Sequence, residues 1–180
     1  MVEITFIQMI IFISAVWILL RLFFVLKNRT FSIRRELQLL LVYICIVVIA
    51  RFVFFALHHV NGQIDTLKID FSKIGPDSVN LKPFMFISDI YEGSLVNIIG
   101  NITMFIPVGI VWPFCFKKLD NVLKVILAGA GYSFLIELLQ LLFYERHSDV
   151  DDLILNTLGT AIGAIIYFVV RLLIKKKQKT

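Results

Sequence analysis

The sequence predicts an all-α fold, a polytopic transmembrane helix bundle of about five spans with the N-terminus outside and the C-terminus cytoplasmic. Three observations predict it. Hydrophobic residues make up 59% of the 180-residue chain and mean hydropathy is +0.89, more apolar surface than one soluble core can bury. Apolar runs recur at Thr5 to Leu26, Leu37 to Leu57, Ser94 to Phe116, Val122 to Phe143 and Leu153 to Ile174, each near the ~20 residues that cross hydrocarbon as a helix. Lysine and arginine, finally, gather in alternate connections.

The first run has Glu3 and no basic residue before it, a long apolar body, and Arg21 and Lys27 behind it, so it reads as a retained anchor and not a cleaved signal. Residues 1–36 are thus an anchor span and basic loop, 37–174 the main membrane domain, and 175–180 a basic tail. Lys27, Arg29, Arg34 and Arg35 follow the first span, Lys117, Lys118 and Lys124 follow the third, and Lys175, Lys176, Lys177 and Lys179 follow the fifth. Positive charge stays in the cytoplasm, which turns the N-terminus, the loop from His58 to Gly93 and the loop from Tyr144 to Asp152 outward. The net charge of +5 then reflects topology and anionic lipid, not nucleic-acid binding.

Cys45 and Cys115 both fall in spans, which excludes a disulfide framework and a cysteine-rich metal site. The sequence holds no Gly-rich phosphate loop, HExxH pair or CxxC spacing, and no internal repeat. In the long outer loop, β-branched and turn residues predict a short hairpin around Leu67 to Phe71. Asn80 to Phe84 reads as extended because of Pro83, and is placed across the mouth of any outer pocket. His58, His59 and His147 lack trustworthy metal-ligand spacing and read as interfacial.

The polar residues of the spans share one depth. At ~1.5 Å per residue, Arg51, Asn101 and Glu137 each lie about 10–12 Å from the outer end of their helices, with Asn156 a turn into the fifth. Asn97 and Asn101 are four apart, Ser133, Glu137, Gln140 and Tyr144 form a second stripe, and Asp149, Asp152 and Asn156 a third. Stripes turned to lipid would leave these groups unpaired, so they are expected to converge with Arg51 on an outward-opening polar pocket. The plainer alternative is a buried Arg51–Glu137 pair with the asparagines as interhelical glue. Gly159 with Gly163, and Gly129 with Ser133, are small-residue steps that suit close helix packing, and Pro107 is expected to kink the third span.

In order along the chain, "NLKPF", "GNITMFIPVG", "SFLIELLQ" and "RHSDVDDLILNTLGTAIG" fall in or beside consecutive hydrophobic segments. This pattern resembles the VanZ-like membrane proteins from about Asn80 to Gly163 and continues into the second span. The matching positions are Asn80, Pro83, Phe84, Asn101, Pro107, Gly109, Glu137, Gln140, Arg146, Asp149, Asp152, Asn156, Gly159 and Gly163. The resemblance implies a bacterial plasma-membrane protein associated with low-level resistance to teicoplanin, a glycopeptide with a lipid tail.

From these residues the binding set is Arg51, Asn80, Asn97, Asn101, Glu137, Gln140, Arg146, Asp149, Asp152 and Asn156. The leading expectation is a site for a membrane-lipid headgroup or lipid-linked wall precursor, with or without a divalent cation. Asp149 and Asp152 begin the fifth helix, where Asp151 or Asp152 could also serve simply as its cap. The alternative is an intramembrane enzyme acting on a phospholipid or polyprenyl-linked headgroup. In it Glu137 is the general base or acid, Asp149 and Asp152 hold the cation with Glu137 as a third candidate ligand, and Arg146 meets a phosphate oxygen. A transporter is disfavoured, because the polar residues stop halfway across.

Overall fold

The computed structural model describes residues 2–29, 31–55, 59–60, 63–64, 66–71, 75, 78–88, 94–144 and 146–178. They form two compact units, one of residues 1–73 and 142–146, the other of residues 74–141 and 147–180.

The first unit opens with strand β1 (Val2–Ile4) and helix α1 (Phe6–Asn28), started by a capping box. Thr5 Oγ1 accepts from the Gln8 N–H at 3.2 Å, and Gln8 Oε1 accepts from the Thr5 N–H at 2.8 Å, which satisfies two donors that a helix start leaves free. No residue of α1 is buried, as suits a helix whose surroundings are acyl chains. It is nevertheless fastened to α2 (Ile33–Phe54) along its length. Phe6 meets Phe55 edge-on at 5.3 Å, Ser14 shares a 2.7 Å hydrogen bond with the Tyr43 hydroxyl, and Arg21 grips the Glu36 carboxylate with both Nε and Nη2. Two charged side chains near hydrocarbon are tolerable only when paired in this way.

Strands β2 (His59–Val60) and β3 (Gln63–Ile64) pair antiparallel, with His59 opposite Ile64. Strand β4 (Leu67–Ile69) does not join a local hairpin as the sequence suggested. It pairs antiparallel with β1, Glu3 opposite Lys68, because the start of α1 offers it a free edge. Residues 142–146 complete the unit. The Tyr144 N–H donates to the Lys68 carbonyl at 2.9 Å and the Asp70 N–H to the Leu142 carbonyl at 3.2 Å.

The second unit contains β5 (Val79–Asn80), the short α3 (Met85–Ser88), α4 (Ser94–Cys115), α5 (Val122–Gln140), β6 (Ser148–Asp149) and α6 (Val150–Lys177). Asn121 caps α5 by accepting from the Lys124 N–H at 2.9 Å. Pro107 and Pro113 both lie inside α4. Near the end of that helix the Pro113 carbonyl accepts from the Tyr167 hydroxyl of α6 at 3.4 Å. The α4–α6 contact is a glycine seam. A Cβ on Gly109 would strike the Thr160 carbonyl and lie 2.8 Å from the Gly163 Cα, and one on Gly159 or Gly163 would strike the Ile102 or Ile106 carbonyl. The two backbones therefore touch, as small residues allow in a bilayer. On the α5 side, Gly129 makes room for the Thr160 side chain.

All five long helices have the length and hydropathy of membrane spans. Their ends differ from the apolar runs by a few residues. The second span stops at Phe54, because Phe55 turns to extended backbone at φ −114°, ψ 137°. The fourth stops at Gln140, and the fifth begins at Val150 with Asp149 as its cap, three residues before the apolar run.

Candidate functional site

In the second unit α4 starts, α5 ends and α6 starts at a common end, and the polar side chains meet there. Asp149 holds the α6 cap position, where its Oδ1 accepts from the Asp151 N–H at 2.8 Å. Its own N–H donates to Glu137 Oε2 in the last turn of α5 at 2.8 Å. Its Oδ2 accepts from the Asn80 amide at 3.1 Å. That last bond follows from register, since β5 and β6 run parallel with Asn80 opposite Asp149. The extended reading of Asn80–Phe84 holds at Asn80, in β5, and fails at Pro83 and Phe84, which lie in a turn; Asn80 Oδ1 accepts from the Lys82 N–H at 3.1 Å just before it.

Asp151 contributes what the sequence did not disclose. Its carboxylate is buried and accepts from the Phe84 N–H at 2.6 Å and the Phe86 N–H at 3.1 Å. Phe84 has φ 66°, a left-handed conformation that bulky residues rarely adopt, and the paired bonds hold it there. The expected cap role for Asp151 or Asp152 thus passes to Asp149, while Asp151 anchors the segment leading into α3. Only the DVDD run hinted that a third carboxylate had work here.

Asp152 accepts from the Asn101 amide of α4. One rung deeper, the Asn156 amide donates to Ser133 Oγ at 2.9 Å across the α5–α6 interface, and the Thr160 hydroxyl donates to the Asn156 carbonyl at 3.1 Å. Asn101, Ser133, Glu137, Gln140 and Asn156 are all buried, so the stripes do turn inward, although Asn97 stays exposed. Two of these buried groups lack a partner among the described residues: the side-chain carbonyl oxygens Gln140 Oε1 and Asn156 Oδ1.

The two arginines of the expected site belong to the first unit. Arg51 Nη1 donates to the Phe55 carbonyl at 3.3 Å, and its guanidinium lies over the Phe6 and Phe52 rings. Arg146 donates from Nε and Nη2 to the Phe54 carbonyl at 3.1 and 2.9 Å. Both thus serve the C-terminal end of α2, where carbonyls run out of helical partners and the helix dipole attracts cations. Since α6 begins at Val150, Arg146 precedes the helix and does not share a helical face with Asp152 and Asn156. Tyr144 likewise lies beyond α5 and off its stripe. Of the histidines, His147 is exposed and His58 lies outside the described residues.

Among the described residues the ion pairs are Arg21–Glu36 and Asp120–Lys124, neither of which involves Glu137, Asp149, Asp151 or Asp152. Nor do three or more His, Cys, Asp or Glu side chains converge there as a metal cage. The acids are held by amide and backbone donors. At the opposite ends of the same helices lie Lys117 and Lys118 after α4, Lys124 in the first turn of α5, and Lys175, Lys176 and Lys177 in the last turn of α6.

Five apolar spans with a polar cluster at one end define a multi-pass α-helical membrane protein. The chain belongs to the VanZ/LLP1 family, whose model matches residues 40–171, from early α2 to the last part of α6. No curated protein and no solved structure matches it.

Proposed function

We propose that the protein resides in the bacterial plasma membrane and binds, through the acidic end of its second unit, the headgroup of a membrane lipid or of a lipid-linked wall precursor. Occupancy of that site changes what a lipid-tailed glycopeptide such as teicoplanin meets at the outer surface, and so lowers susceptibility to it. The lysines at the far ends of α4, α5 and α6 favour the cytoplasm, which points the acidic end outward.

One observation carries the reading: Glu137, Asp149, Asp151 and Asp152 are gathered at the ends of three spans, bonded to amides and backbone donors and to none of the chain's described cations. An interhelical hydrogen bond in a bilayer returns only about 0.6 kcal/mol, too little to offset readily the burial of carboxylates such as those of Glu137 and Asp151. Packing gains little from such a cluster, whereas a headgroup site needs it.

The test has two parts. Lipid copurified with the full chain in mild detergent is identified by mass spectrometry, with one headgroup class expected to be enriched over the bulk membrane. Teicoplanin susceptibility is then measured for Asp149→Asn, Asp152→Asn and the double variant, normalised to membrane abundance. Each single change is expected to disable function and the double to be little worse, as for groups acting together. Full activity in both single variants rejects the proposal.

A further inference from the structure

We infer that the chemical group recognised at the acidic end is a primary ammonium, carried by a lipid headgroup. The inference rests on the headgroup-binding reading above and specifies its ligand. Two independent sets of observations support it. The first is the carboxylates of Glu137, Asp149 and Asp152, whose partners among the described residues are neutral donors: the Asp149 N–H on Glu137, the Asn80 amide and Asp151 N–H on Asp149, and the Asn101 amide on Asp152. A carboxylate offers about four lone-pair sites, so acceptor capacity remains at each.

The second set is the orphaned polar atoms. Asn156 is 2% exposed and Gln140 5% exposed, and Asn156 Oδ1 and Gln140 Oε1 both lack a hydrogen-bond donor. Asn156 follows Asp152 by one turn of α6, and its partner Ser133 precedes Glu137 by one turn of α5. The Asn156–Ser133 rung therefore lies one turn, ~5.4 Å, beneath the level of Glu137 on α5 and Asp152 on α6, the outer rung, with Asp149 at the cap above it. Gln140 follows Glu137 by three residues, on the same side of α5.

What both rungs lack is donors. Buried acceptors in proteins are nearly always satisfied, and a ligand that fits these must bring N–H groups and positive charge together. A phosphate brings only more acceptors. A quaternary ammonium has the charge without a donor. A hard divalent cation would draw on the same carboxylate and amide oxygens without bringing donors, and EDTA separates it from an ammonium. A primary ammonium has the charge and three donors.

The experiment uses the full chain in nanodiscs or mild detergent with three lipids of identical acyl chains: phosphatidylethanolamine, phosphatidylcholine and phosphatidylglycerol. Native mass spectrometry and thermal shift report retention. Phosphatidylethanolamine is expected to be held on the order of tenfold more tightly than its N-trimethylated counterpart, the worth of about one charge-assisted hydrogen bond. That preference should fall by a similar factor in Asp152→Asn and in Asn156→Leu, and should survive EDTA. Ethanolamine in solution should compete where choline does not. Equal retention of phosphatidylcholine, or loss of binding in EDTA, overturns the ammonium assignment. Tighter retention of phosphatidylglycerol, abolished by Asp152→Asn, also overturns it yet leaves the headgroup site standing. If no lipid is retained above background, both readings fall together. The lipid comparison on the unmodified protein decides the matter even if a variant does not fold.

Discussion

The backbone N–H of Asp149 donates to Glu137 Oε2 at 2.8 Å, so the cap of α6 is fastened to the last turn of α5 through a side chain. The acid that looks most like a chemical group is also a structural bracket, and the two roles can be separated by substitution. Glu137→Gln keeps an acceptor at the same place. It should leave membrane abundance and melting temperature near those of the unmodified protein while abolishing the susceptibility phenotype. Glu137→Leu leaves the Asp149 N–H without a partner and should cost about 1–3 kcal/mol of stability. Equal loss of protein in both variants would assign Glu137 to structure alone.

Asp149 and Asp151, two residues apart, should differ in how much stability their side chains carry. Asparagine caps a helix nearly as well as aspartate, so Asp149→Asn should keep the cap, lose only the Asn80 bond and cost less than Asp149→Ala, which loses both at about 1 kcal/mol. Asp151→Ala removes the acceptor of two backbone N–H groups and the restraint on Phe84, and should cost about 2 kcal/mol or more. Thermal melts in detergent check the order. A smaller effect at Asp151 than at Asp149 would contradict the anchoring role.

The glycine seam makes a sharp pair of predictions. Gly109→Ala drives a methyl into the Thr160 carbonyl, a backbone atom that cannot rotate away, and should destabilise the protein by about 1–3 kcal/mol. Gly131→Ala, on α5, meets nothing within 4 Å and should be neutral or slightly stabilising through helix propensity. Melting temperatures of the two variants, in the same detergent, decide.

Topology is open to direct chemistry. Cysteine placed at Ser148, after removal of Cys45 and Cys115, should react with a membrane-impermeant maleimide in intact cells, and cysteine at Lys118 only after permeabilisation. The reverse pattern would invert the protein and turn the acidic end toward the cytoplasm.

The spans were legible because a bilayer demands about twenty apolar residues, and that demand is local. Their outer ends were harder to read, since cap and pairing decide them. The α6 start depends on Asp149 finding the Asp151 N–H, and Leu67–Ile69 depends on a partner strand at the other end of the first span. The inward turn of Ser133, Glu137, Gln140 and Asn156 followed from helical spacing alone. The role of Asp151 did not, because its partners Phe84 and Phe86 lie 67 and 65 residues away and one of them needs a left-handed backbone to reach it. The bonds of the two arginines to α2 carbonyls were not legible either. Charge at the mouth of a span suggests a ligand, and a helix C-terminus with unpaired carbonyls accepts the same guanidinium.

At Gly109, Gly159 and Gly163 the α4 and α6 backbones touch with no side chain between them to change rotamer. Motion between two helices ordinarily proceeds by such repacking, so this pair can only travel as one rigid jaw. Asn101 and Asp152, carried one on each helix of that jaw, then keep a fixed separation whatever binds. Any opening or closing that admits a ligand falls instead to the Asn80–Phe86 segment, which is tied to the start of α6 through Asp149 and Asp151.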